Sequence, residues 1–342
     1  MMGDCCCSKA KVTETTWKGE PAVRFSAGGF EALLVPGVGA NLIELKNIEE
    51  ELDILRSPEN IELDAFKARP QVYGIPVLFP PNRIEDGRFS VAGREYILPI
   101  IDVNGNNFIH GFLRTRGWKV GTMETENDTA RVEVVFNADK NTDFFEQFPH
   151  EFEFKILYTL SCHGLDQEVT IINKGESPMP MGLGFHTAFN APFHKQGKAD
   201  DCRLKVSIGE KWELTNRTLP TGKLLPLGEP ENLLPGDGMK PQGFKFEGHF
   251  TAKPFNKGGK DFNGAVIEDK TVGLRLVYEA GKGYGHWVIW NETGDKGFIC
   301  PEPQTWVINA PNVKLPDEVT GFKLLSAGES WSEICKIYVE KI

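Results

Sequence analysis

The feature that most constrains this chain is strict alternation of apolar and polar residues. In EFEFKILYTL, Phe152, Phe154, Ile156, Tyr158 and Leu160 fall on one side, and Glu151, Glu153, Lys155 and Thr159 on the other. That period of two belongs to a half-buried strand, because successive side chains of a strand point to opposite faces. The same pattern recurs in RVEVVF, LDQEVTII, GLRLVYEA, GHWVIW and CKIYVEK, separated by turn-forming clusters such as NKGESPMP, LPGDGMKP and NKGGKDFNG. The expectation is an all-β fold, a large antiparallel β-sandwich with few short helices. SPENIELDAFKA predicts one helix with Ser57 as N-cap, and DFFEQF one further turn. Residues 1–15 read as a polar leader and 16–342 as a single domain, with 216–260 a long Gly- and Pro-rich excursion inside it.

Composition excludes several functions. The 342 residues carry 38 Lys and Arg against 48 Asp and Glu, a net charge of -10, so the overall field repels nucleic acid and anionic membrane. No apolar run approaches membrane-spanning length and the N-terminus has no apolar signal-peptide core, which predicts a cytoplasmic protein. Cys5, Cys6 and Cys7 are contiguous and the other cysteines scattered, so ordinary reduced thiols are expected. Cys7 stands where an acylation signal after Met2-Gly3 would need Ser or Thr. GVGANL and GKGYGHW complete no nucleotide-binding glycine pattern, and GxSxG, HExxH and paired CxxC motifs are missing. Neither a metal nor a cofactor is expected.

What remains is a set of polar residues in apolar, glycine-rich settings. His186 lies in GLGFHTAFN and His110 in NNFIHGFLRTRGW. Each alone reads more readily as a hydrogen-bonded structural histidine than as a catalyst. Glu302, in FICPEPQTW, is flanked by Pro301 and Pro303, which restrict its backbone, and by apolar residues, which suggest a partly buried strand end. A carboxylate buried there needs a specific partner.

Together these segments resemble the aldose 1-epimerases, the galactose mutarotase-like family. LFPPNRIEDG is similar to the family's Asn-Arg segment, with Asn82 and Arg83 as the pair, and NNFIHGF to its first histidine segment, with His110. GFHTAFNAPF is similar to the second, with His186, Phe189 and Asn190, and CPEPQTW to the segment of the catalytic glutamate, Glu302. The resemblance implies a galactose mutarotase-like sandwich, acting as monomer or homodimer on a small-molecule sugar. It further implies Glu302 as base, His186 as acid, and Asn82, Arg83, His110 and Asp261 as substrate-binding residues, with Trp306 and Phe112 as candidates to face the sugar ring. HGF followed by Arg114 and Arg116 is similar instead to hexose-6-phosphate 1-epimerases, whose arginines would meet a phosphate. A free hexose is the preferred substrate and the 6-phosphate the alternative. A non-catalytic carbohydrate-binding protein on the same fold is the other class, and a lyase or glycosidase a third; a glycosidase would want a second carboxylate.

Overall fold

A computed structural model describes residues 9–342. The alternating segments are strands. Phe152–Ser161 buries every second residue and pairs with Thr129–Ala138 on one side and Gly164–Asn173 on the other, so that Phe154 faces Phe136 and Ile171. These strands sit in an eight-stranded sheet that continues through Ser330–Lys341, Leu274–Ala280, Gly264–Asp269 and Cys202–Val206, with Lys119–Glu126 at the other edge. A second sheet runs in the order Pro220–Leu225, Ile208–Leu214, Glu247–Ala252, His286–Trp290, Phe298–Gln304, Gly184–Phe185 and Val77–Leu78. All described pairings within these sheets are antiparallel.

A five-stranded N-terminal sheet begins at Lys11, inside the stretch read as a leader. The alternation Val23, Phe25, Ala27 on one side of Glu20–Ala27 explains why this sheet also joins the core. Cys5, Cys6 and Cys7, with the possible acylation signal, lie outside the described residues. Cys162, Cys202, Cys300 and Cys335 are free thiols.

The two α-helices among the described residues are short, Leu63–Ala68 and Asp317–Thr320. The first starts later than expected. Ser57 does not cap it but donates to Glu44 at 3.4 Å, and Pro58 opens a separate turn onto Ile61. Phe66 then anchors the helix, meeting Trp17 and Tyr73 edge-on. Among the described residues no helix is long and apolar enough to cross a membrane.

Candidate active site

Strand Phe298–Gln304 carries two prolines in mid-sheet, which a fully paired strand would not tolerate. On one side it is paired continuously with His286–Trp290, Glu302 opposite Val288. On the other it has only two short partners: Phe189–Asn190 at Ile299 and Phe298, and Gly184–Phe185 at Gln304. Between them the ladder is interrupted, and there the missing proline N–H groups cost nothing. The interruption is filled by His186, Thr187 and Ala188, whose loop is tied to the neighbouring segment by His186 N–H to the Pro76 carbonyl (3.1 Å) and Ala188 N–H to the Gly74 carbonyl (2.9 Å). His186 is thereby set beside Glu302, with Nε2 3.1 Å from Oε1. The prolines sit inside the sheet, not at a strand end.

Both groups are almost fully buried, 4% and 1% exposed. Burial pushes the Glu302 carboxyl well above its ordinary value, opposed by the donation of Gln304 Nε2 to Oε2 at 3.4 Å and by Arg83. It also pulls the His186 imidazole down to about 4. Neither group favours charge in isolation, so the pair is best described as holding one proton in its shared hydrogen bond.

A further part of the lining comes from a second pairing. Arg83–Glu85 pairs with Asn107–Ile109, Arg83 opposite Ile109, and His110 N–H donates to the Asn82 carbonyl at 3.0 Å. Asn82 (φ 54°) and His110 (φ 62°) both adopt the left-handed conformation, which Asn and His tolerate better than most residues. The pair of turns brings both side chains to the end of the ladder. Arg83 is fixed there by Asp102, Nε to Oδ2 at 3.0 Å, and Asp102 also accepts from Asn107 Nδ2 and Gly105 N–H, each at 3.1 Å. Burial drives the His110 imidazole well below its ordinary value, helped by its neighbours His186, Arg114 and Arg83. His110 and His186 meet edge-on, ring centroids 5.4 Å apart.

Asn82, Arg83, His110, His186 and Glu302 thus line one cavity of about 180 Å³. Asp261 is not among them. It is exposed on the hairpin Phe255–Lys257/Lys260–Phe262, opposite Asn256, across a Gly258-Gly259 turn. The second carboxylate in the cavity is Glu247, paired with Lys245 at 3.1 Å. Trp306 and Phe112 are core residues, stacked on Phe322 and Phe144. The aromatic wall of the cavity is Trp290, whose ring meets His186 edge-on at 5.2 Å. Glu247 and His249 escaped sequence reasoning because they fall in the 216–260 stretch read as an excursion, which in fact supplies two strands of the second sheet. The short alternation of EGHFTA, ending that stretch, was the available signal.

Arg114 and Arg116 do not line the cavity. Arg114 lies inside a turn of 3-10 helix, Leu113–Thr115, and Arg116 directly follows it, instead of the two sharing a strand face. Arg114 Nη1 is spent on the carbonyls of Ile109, His110 and Gly111. Arg116 is bidentate to Asp143, at 2.8 and 2.7 Å, and donates to the Phe112 carbonyl.

The chain belongs to the aldose 1-epimerase family, whose model matches residues 21–338. Its fold superposes with a TM-score of 0.96 on the crystal structure of a galactose mutarotase-like protein from Clostridium acetobutylicum, at 42% identity over 98% of this chain and 99% of that one. It is 31% identical to the uncharacterized protein YihR of Escherichia coli over 166 residues, 48% of each chain. With the galactose mutarotase of Rattus norvegicus it shares 27% identity over 168 residues, 48% of this chain and 46% of that protein. These last two matches span about half the length of the relatives concerned.

Proposed function

We propose that this protein is a cofactor-independent aldose 1-epimerase that interconverts the α and β anomers of a free hexose. The observation that carries the reading is the 3.1 Å contact between His186 and Glu302 on a buried cavity floor. Anomer exchange requires one proton to leave O1 and another to reach the ring oxygen. In the ionic form of the pair, Glu302 is a carboxylate and His186 an imidazolium, with the same proton count as the neutral form. Glu302 accepts the O1 proton and His186 donates to the ring oxygen; the C1–O5 electron pair stays on O5 as the O1–H pair becomes the C1=O1 π bond. The open-chain aldehyde rotates about C1–C2, and the two groups exchange roles to reclose the ring, so no external redox or group-transfer partner enters the balance. Arg83 and His110 hold hydroxyls meanwhile, keeping the reacting atoms within hydrogen-bond reach.

The preference for an unphosphorylated sugar is supported by the commitment of Arg114 and Arg116 to protein partners. The test is anomer-exchange NMR on freshly dissolved α-glucose, α-galactose and their 6-phosphates. Equilibration faster than the buffer control, with the free sugar favoured, is expected. Rates equal to buffer for every compound would overturn the reading, and a preference for a 6-phosphate would overturn the substrate assignment.

A further inference from the structure

Buried polar side chains in folded proteins nearly always have hydrogen-bond partners, and each exception calls for a cause. His249 is such an exception. It is 1% exposed, and neither Nδ1 nor Nε2 has a partner among the described residues. Its ring meets His286 edge-on, centroids 5.7 Å apart, a contact that leaves both nitrogens unused. Burial, and then the neighbouring His286, holds the imidazole well below its ordinary pKa, so it is neutral, with one N–H donor and one acceptor nitrogen. A hydroxyl, which both donates and accepts, is the natural complement of such a group.

The register shows which hydroxyl it can meet. His249 stands opposite Val288, and Val288 opposite Glu302, so the three form one cross-strand row on one face of the second sheet. All three line the cavity. Neighbouring strands are about 4.8 Å apart, which separates the backbones of His249 and Glu302 by about 10 Å. A ring whose C1 lies at Glu302 passes over Val288, the apolar member of the row, and turns its far end toward His249.

We propose that His249 is a specificity-determining residue, which hydrogen-bonds a hydroxyl at the end of the sugar remote from C1. This rests on the mutarotase reading above. The role is distinct from those of Arg83 and His110, which reach the cavity from a separate strand pair.

The experiment compares kcat/KM for anomer exchange of the best hexose with that of its 2-, 3-, 4- and 6-deoxy analogues. It uses the wild type and His249→Phe, which removes both nitrogens and keeps the ring. In the wild type, one of the 3-, 4- or 6-deoxy sugars is expected to lose about 10- to 100-fold, the effect of leaving a buried polar group unpaired. In His249→Phe the parent hexose falls toward that level and the penalty for the same deoxy sugar disappears. The 2-deoxy penalty, from a position beside C1, stays as in the wild type. A merely structural role for His249 would lower all sugars together and leave the ratios intact, which would overturn the proposal. It is equally overturned, without recourse to the variant, if the wild type treats the 3-, 4- and 6-deoxy sugars within about 2-fold of the hexose. An active wild type with such a flat profile sinks the role of His249 alone. A wild type inactive on all sugars sinks the mutarotase reading, and His249's role with it.

Discussion

Arg114 Nη1 donates to the Gly111 carbonyl at 2.7 Å, closing a loop over the backbone that presents His110 to the cavity. A second donation, to the His110 carbonyl at 3.1 Å, ties the guanidinium to the site residue itself. Burial lowers its pKa to about 10, which still leaves it charged at neutral pH. From sequence this arginine was a candidate phosphate ligand whose loss would hardly touch a free sugar; as a loop staple, its loss should be felt by every substrate.

Arg114→Ala is therefore expected to lower kcat/KM for a free aldose and for its 6-phosphate by the same factor, about 10-fold, as hydrogen bonds from a charged donor are lost. It should also lower the melting temperature. Steady-state kinetics on both sugars checks this. A loss confined to the phosphate would show that the guanidinium meets the ligand.

Glu302→Gln keeps the shape of the side chain and removes its basicity. The proton-transfer role predicts a fall in kcat of about 10²- to 10⁴-fold, with sugar binding retained. Anomer-exchange rates and ligand-observed NMR, read side by side, separate the two. Wild-type turnover in this variant would leave Glu302 a structural residue.

Asp102 does not line the cavity and is joined to it through Arg83. Asp102→Asn should raise KM several-fold, while Arg83→Ala raises it more. Combining them should cost little beyond Arg83→Ala alone, because both changes remove one interaction. Additive effects in the three variants would mean that Asp102 serves the site by another route.

The acid limb of the pH–rate profile reports the second protonation of the His186–Glu302 pair. With His186 held at about 4, kcat/KM should remain level through the usual imidazole range and fall only as pH approaches 4. A midpoint near 6.5 would place a free, solvated histidine in control of the rate.

Stability should respond over a different window. His150, whose ring bonds the Tyr96 hydroxyl at 2.8 Å, and His286 are both held by burial at about 4, below an ordinary value of 6.5. Between those values the unfolded chain binds more protons than the folded one, so stability rises with pH there. Acidification from pH 6.5 to 4 should lower the denaturant midpoint progressively. His150→Gln should flatten part of that slope, and an unchanged slope would assign the acid sensitivity to other groups.

Much of this was legible in the sequence, and for definable reasons. Strand Phe152–Ser161 is written in its alternation, because a two-residue period has one structural meaning when one face is buried. Asn82, Arg83, His110, His186 and Glu302 stood out through their segments, and the structure gathers all five in one cavity. Asp261 misled because its segment resembles that of the family's sugar-binding aspartate, whereas two glycines of positive φ make an exposed hairpin of it. Glu247 and His249 were hidden for the opposite reason. Their strand is flanked by loops so rich in Gly and Pro that its few alternating residues carried too little periodicity to stand out. Trp290 could not be told from core tryptophans, since facing a cavity and facing a core use the same apolar period.

The interrupted ladder beside Glu302 also makes activity a gauge of folding. His186 reaches Glu302 only when Gly184–Phe185 and Phe189–Asn190 are both seated against Phe298–Gln304, and a slip of one residue would turn Glu302 into the packed interior. A partly assembled sheet has no partly competent site to offer. During refolding, regain of turnover should accordingly coincide with the last protected amides of these three strands, and trail any earlier recovery of secondary structure.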